Sequence, residues 1–213
     1  MTGIAARDGL DGNPRTGEGS SRRSDISRQQ ILDVAAKLFR ARGYTETSLR
    51  DIARLVGIKA GSIYYHFASK EELAAEVLRI GVKKVHSAVT AAVDALGPAA
   101  AARFRLEAAM AAHLETLLDA SDYTSAHIRC FANVPKTLRV QLADVRRDYE
   151  KVWRVLLDEM AESRSLRPGI DPGAARLVIL GALNWSLEWY DPAQGLPSEF
   201  IRTLLAAFAP PSG

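Results

Sequence analysis

Residues 48–67 read Ser-Leu-Arg-Asp-Ile-Ala-Arg-Leu-Val-Gly-Ile-Lys-Ala-Gly-Ser-Ile-Tyr-Tyr-His-Phe. Ser48, with Asp51 three residues on, makes a capping box in which Asp replaces Glu. Leu49, Ile52, Ala53 and Val56 then recur at helical spacing, so 48–56 reads as a short amphipathic helix. Gly57 stops it, because glycine enters the left-handed cap at no steric cost. A second short helix is expected over about 59–67. Helix, tight glycine turn and second helix make a helix-turn-helix arrangement, whose second helix packs on one face and offers the other to the DNA major groove. Ile63 and Phe67 are i and i+4 and can point inward with Ile58. Lys59, Ala60, Ser62, Tyr64, Tyr65 and His66 are left for the outer side and the ends, and Gly61 and Ala60 are small where such a helix approaches a duplex. Hydroxyls and an imidazole can donate to phosphate oxygens. Taken alone, Tyr64, Tyr65 and His66 would better suit the cover of a small core; the flanking pattern reverses this and favours the DNA-reading alternative.

Upstream, Ile31, Val34, Ala35, Leu38 and Phe39 form one stripe of a helix that Ser24 or Ser27 can cap and Gly43 can end. Residues 1–23 hold little to bury and are expected to be a flexible basic arm. Downstream, Ser69-Lys70-Glu71-Glu72 is a full S-x-x-E box that opens a longer helix over 70–95. Further helices are expected over 98–119, 122–133, 136–163, 172–190 and about 197–208, with Asp171-Pro172 supplying a cap and a proline at the first helical position. No β-type alternation or repeat is present. The chain therefore reads as all-α, with an arm at 1–23, a helix-turn-helix domain at 24–70 and a larger helical domain at 71–213.

Composition limits the function. Hydrophobic residues make up 47% and charged residues 25% of the 213, proportions of a soluble globular chain. No apolar run approaches the ~20 residues that span a bilayer, and the N-terminus lacks a secretory h-region, so a cytoplasmic location and no membrane partner are expected. The single Cys130 excludes an internal disulfide. One Cys and four scattered His give no metal spacing, and no cofactor fingerprint is present. Residues 1–70 carry 12 Lys/Arg against 7 Asp/Glu, a charge of +5, and residues 71–213 carry 16 against 18, a charge of −2. A basic first third suits a polyanion-binding end. No Ser-His-Asp order, paired carboxylates or phosphate-loop glycines appear, so an enzyme is not expected.

Residues 31–73 resemble the DNA-binding domain of the TetR family of bacterial transcriptional regulators. The resemblance rests on Leu38-Phe39, Gly43-Tyr44, Thr45-Glu46-Thr47-Ser48, Ile52-Ala53, Gly57-Ile58, Tyr64-Tyr65-His66-Phe67 and Lys70-Glu71-Glu72-Leu73. One departure is Lys59, where the family usually has a Ser or Thr cap; lysine cannot cap, but it can reach a phosphate or a guanine edge. The resemblance implies that Thr47 or Ser48, Tyr64, His66 and Lys70 contact phosphate, and that Lys59, Ala60, Gly61 and Tyr65 face base edges. Lys70 also starts a helix, where backbone N–H groups favour a phosphate.

The resemblance further implies that residues 75–213 bind a small-molecule effector and form a homodimer on a double-stranded DNA operator. Candidate ligand-binding residues are Met110, His113, Arg129, Phe131, Trp153, Asn184 and Trp185, although such apolar groups with a few polar ones describe an ordinary core equally well. Candidate dimer residues are Trp189 and the i, i+4, i+8 series Phe200, Leu204 and Phe208, since a terminal pair with apolar surface suits self-association. The segment Gly181-Ala182-Leu183-Asn184-Trp185-Ser186-Leu187-Glu188-Trp189-Tyr190 also resembles regulators of fatty-acid or sterol catabolism that answer acyl-CoA thioesters.

Overall fold

The computed structural model describes residues 18–118, 122–191 and 198–210, with side chains from residue 28 onward. Among the described residues ten helices follow in order: α1 (Glu18–Arg42), α2 (Leu49–Val56), α3 (Ala60–Ile63), α4 (Lys70–Leu96), α5 (Ala102–Leu118), α6 (Asp122–Phe131), α7 (Lys136–Gln141), α8 (Ala143–Glu162), α9 (Pro172–Trp189) and α10 (Ser198–Phe208). No strand occurs among the described residues, and no helix there is long and apolar enough to cross a membrane.

The caps written in the sequence are made. The Ser48 hydroxyl accepts from the Asp51 N–H and the Asp51 carboxylate accepts from the Ser48 N–H, which closes the box at the start of α2. Gly57 ends α2 at φ +79°, with its N–H on the Ala53 carbonyl. Ser69 caps α4 by accepting from the Glu72 N–H; Glu72 in return accepts from the Ala68 N–H, one residue further out than the usual box. Asp171 caps α9 through the Ala174 N–H.

Three expectations are corrected. The first helix starts at Glu18, so neither Ser24 nor Ser27 begins it and part of the expected arm is helical; residues 1–17 lie outside the described residues. The second helix of the helix-turn-helix is one turn, Ala60–Ile63, followed by a turn through Tyr64–His66 rather than a helix to 67. The single helix expected over 136–163 is two, broken at Leu142. The break has a packing reason. Leu138 and Leu142 belong to one core, whereas Tyr149, Trp153, Leu156 and Met160 belong to another.

Those two cores organise the molecule. The first joins Ile31, Phe39, Ile52, Ile63, Phe67, Leu73 and Leu78 to Tyr123, Ala126 and Cys130 of α6 and to Leu138 and Leu142. The second holds Val82, Val89, Leu106, Met110, Trp153, Leu157, Ile179, Leu183, Leu205 and Phe208. Packing therefore does not divide at Lys70. Helix α6 lies against α1, and the ties are specific: Arg40 pairs with Asp122 at 2.7 Å, the Tyr123 hydroxyl donates to Asp33 at 2.6 Å, and Cys130 Sγ reaches the Phe39 carbonyl at 3.3 Å. Arg28 and Glu76 add a fork between α1 and α4. At Gly81 the backbones of α4 and α6 come so close that an added Cβ would sit 2.3 Å from the Tyr123 carbonyl oxygen.

Candidate DNA-reading surface and effector cavity

The helix-turn-helix sorts its residues by burial. Ile63 and Phe67 are fully buried, with Ile58 packed against the same core. Tyr65 is 90% exposed and Tyr64 61%, with no apolar cover to justify two aromatic rings in water. Lys59 and Gly61 are exposed beside them, and Ala60, Ser62 and His66 are half-buried. A Cβ on Gly61 would meet nothing within 4 Å, so the absence of a side chain there opens the surface rather than relieving a clash. Lys59 takes the N-cap position of α3 with no side-chain cap bond, as its chemistry requires.

The flanking residues divide differently from expectation. Thr47 is buried and its hydroxyl donates to the Gly43 carbonyl at 2.8 Å, so it is not placed to reach a phosphate. Ser48 is exposed, but its hydroxyl is committed to Asp51 at 2.6 Å. Lys70 does two jobs at the start of α4. Its Nζ lies 4.2 Å from the Tyr44 ring centroid and 3.4 Å from the Thr45 carbonyl, and partial burial pulls its pKa down. Burial and the Glu71 carboxylate push the Tyr44 phenol up to about 12, which keeps it a donor to Glu71 at 3.0 Å. Arg50, in the first turn of α2, is exposed on this unit and was not singled out from sequence, where nothing separates it from any other surface arginine.

The second site is a partly open cavity of about 240 Å³ lined by α4, α5, α6, α8 and α9. Val82, Val85, Ile128, Phe131 and Leu180 supply apolar wall; His113, His127, Arg146, Tyr149, Glu150 and Asn184 supply polar groups. Two of its imidazoles are held neutral. Burial drives His113 down to about 4, against the opposing bond to Asn184. Burial and then the Arg146 charge drive His127 down to about 3. His113 Nδ1 lies 2.5 Å from the Tyr149 hydroxyl and its Nε2 lies 3.1 Å from Asn184 Oδ1. His127 Nδ1 has no hydrogen-bond partner among the described residues. At one side Arg146 lies 3.8 Å over the Phe131 ring, and Glu150 is held by Arg146 at 3.3 Å and by Arg176 at 3.2 Å. Two guanidiniums on one carboxylate leave one positive charge over, beside an apolar chamber. Such a site suits an amphiphile with an electron-rich end.

Of the ligand candidates, the structure brings His113, Phe131 and Asn184 to this cavity. Met110 and Trp153 do not line it. Both are fully buried in the second core, where Trp153 meets the His113 ring edge-on at 5.8 Å. Arg129 is tied to Glu188 at 3.2 Å and to the Leu187 carbonyl, away from the cavity wall. Trp185 points outward and is 65% exposed. Helical geometry allows the split, since Asn184 and Trp185 are turned about 100° from each other around α9. Among the dimer candidates Trp189 is exposed and packs on Phe200 at 5.1 Å, and Leu204 is half-buried. Phe208 is buried in its own chain's core and is not free to meet a partner. Sequence reasoning missed His127, Arg146 and Glu150. Arg146 and Glu150 stand at i, i+4 in the sequence, and nothing there separates them from any other helical ion pair.

Comparison with known proteins agrees with this architecture. Residues 31–77 match the family described as "Bacterial regulatory proteins, tetR family", and residues 99–208 match "Tetracyclin repressor-like, C-terminal domain". The HTH-type transcriptional repressor KstR2 of Mycobacterium tuberculosis is 29% identical, over 82% of this chain and 86% of its own length. A TetR/AcrR-family transcriptional regulator from Thermobifida fusca superposes with a TM-score of 0.61 at 30% identity, over 85% of this chain and 97% of that one. AibR, solved with isovaleryl coenzyme A and operator DNA, shares the fold with a TM-score of 0.77 at 22% identity, over 87% and 100% of the two chains. A helix-turn-helix with bare aromatic residues, a cavity lined by five helices, and matches across both halves together place this chain in the TetR family of bacterial transcriptional regulators, which are DNA-binding proteins and not enzymes.

Proposed function

We propose that this regulator is a repressor that binds a palindromic operator as a homodimer and is released when a small amphiphilic effector, an acyl-CoA thioester, enters the cavity. The observation that carries the reading is the position of α6. Thr124, His127, Ile128 and Phe131 form part of the cavity wall, while Tyr123, Ala126 and Cys130 on the same helix pack into the core of the DNA-binding unit. A ligand that displaces this wall moves the support of α1. The apolar chamber suits a short acyl chain, and the surplus positive charge at Arg146 and Arg176 suits an anionic remainder outside it. The complex of AibR with isovaleryl coenzyme A and operator DNA supports this chemistry for the fold.

A ligand shifts an equilibrium only by its differential affinity for two states. Coupling of the usual size is about 5–150-fold, and it must be reciprocal. Operator DNA should therefore weaken effector binding by the same factor by which effector weakens operator binding. The test is calorimetric titration of CoA thioesters and free fatty acids with and without operator duplex. Equal affinity in both conditions for every compound would remove the effector reading.

A further inference from the structure

The cavity contains a chain of hydrogen bonds whose direction is fixed by chemistry. The Tyr149 hydroxyl lies 2.5 Å from His113 Nδ1, and His113 Nε2 lies 3.1 Å from Asn184 Oδ1. Tyr149 is buried and has no other acceptor for its O–H among the described residues. A buried hydroxyl left without an acceptor is costly, so the phenol donates to Nδ1. A neutral imidazole carries one N–H, and with Nδ1 accepting, that proton sits on Nε2. Nε2 then donates, and the Asn184 amide must turn its oxygen toward it. This assigns the amide orientation from the network rather than from its shape. The Asn184 NH₂ group is left over, on a cavity-lining residue, with no partner among the described residues.

We propose that Asn184 Nδ2 determines the specificity of the cavity, and that the effector presents a carbonyl oxygen to it. Tyr149 and His113 are positioning residues that act through Asn184. The inference rests on the cavity being the effector site, and it narrows the effector to carbonyl-bearing amphiphiles such as thioesters and ketones. A methylene in the same place would leave the amide donors unpaired, and polar sites reject such analogues more strongly than apolar pockets reject size changes.

The experiment uses full-length protein and two probes, hexanoyl-CoA and S-hexyl-CoA, which have the same carbon count and differ by a carbonyl against a methylene. Calorimetry on the wild type should show the thioester binding about tenfold more tightly, the scale of one net hydrogen bond. Asn184→Asp keeps an oxygen for His113 but has no amide N–H, and it should bring the ratio close to one. Tyr149→Phe removes the group that fixes the tautomer, so it should also reduce the ratio; a merely structural role would weaken both probes and leave the ratio unchanged. Equal wild-type affinity for the two probes would overturn the proposal while leaving the effector reading intact, because both probes bind. An unchanged ratio in both variants would overturn it too. Absence of binding by either probe, and by the wider set of thioesters and acids, would bring the effector reading down and this proposal with it.

Discussion

The two cavity histidines make a residue-scale statement about pH. Each is pushed below its ordinary value by burial, His113 to about 4 and His127 to about 3. Below about pH 6.5 the unfolded chain takes up these protons and the folded chain does not, so the unfolded state binds more protons and stability falls with falling pH. Stability from this source is present above the unfolded value and is lost as pH drops toward 4. Between pH 6.5 and 5 each histidine should cost about 1–2 kcal/mol. Thermal melts should show the midpoint falling across that interval, and His127→Gln should make the fall shallower. A flat midpoint from pH 7 to 5 would show that these groups are solvated. At the DNA surface the same scale separates roles. Tyr65→Ala should change which bases are preferred. Lys70→Ala should weaken all sequences alike and lower the salt slope by about one unit. Because Lys70 also braces Tyr44 and Thr45, Lys70→Ala should lose some stability as well. Binding measured at two salt concentrations on two operator sequences resolves the cases.

Among the elements, α6 carries the most consequence, and its tightest constraint is on the neighbouring helix. Gly81→Ala would put a methyl 2.3 Å from the Tyr123 carbonyl oxygen and 3.1 Å from His127 Cβ. Backbone cannot yield as a side-chain end can, so α4 and α6 must separate, at about 1–3 kcal/mol. His127 and Thr124 line the cavity from α6, so effector affinity should change together with the melting midpoint. A variant with wild-type stability and wild-type effector affinity would show that the two helices slide apart freely. The start of α2, α4 and α9 was legible in sequence because each start is local chemistry: Ser48 with Asp51, Ser69 with Glu72, Asp171 before Pro172. The break at Leu142 was not legible. It is imposed by two cores that are each assembled from residues distant in sequence, and no turn residue marks it. The early start of α1 at Glu18 escaped for the opposite reason, since its first residues offer no apolar period to read. The cavity was half legible. His113, Phe131 and Asn184 were chosen by type, but which face of a helix meets the chamber depends on tertiary packing, which sent Trp153 and Met110 into the core and Trp185 outward.

At the scale of the whole molecule, one face of α9 is an apolar surface without cover among the described residues. Along α9, Ala174, Leu177, Val178, Gly181, Trp185 and Trp189 are exposed at steps of three and four, while Ala175, Ile179, Leu183 and Ser186 on the opposite face are buried. A helix apolar on two faces has one face for its own core and one for another chain. On the proposed palindromic operator the occupant is a second copy, because two recognition units related by a two-fold axis match two half-sites about one helical turn or a little more apart. Trp185 is the most exposed of the large side chains in this stripe, at 65%, and a buried aromatic is the usual anchor of an interface. Trp185→Ala should therefore weaken self-association by about 1–3 kcal/mol, whereas Phe208→Ala, which empties the chain's own core, should lower stability more than it lowers association. Operator affinity should fall with Trp185→Ala even though that residue is on α9, outside the helix-turn-helix, because half-site binding is no longer linked. The proposed effector site adjoins this surface, since Asn184 lines the cavity and immediately precedes Trp185. A ligand that pulls on Asn184 rotates the same turn that presents Trp185, so effector should change the dimer dissociation constant as well as operator affinity. Sedimentation with and without hexanoyl-CoA would show it. An unchanged dimer in both the variant and the liganded wild type would move the interface off α9 and confine the signal to α6.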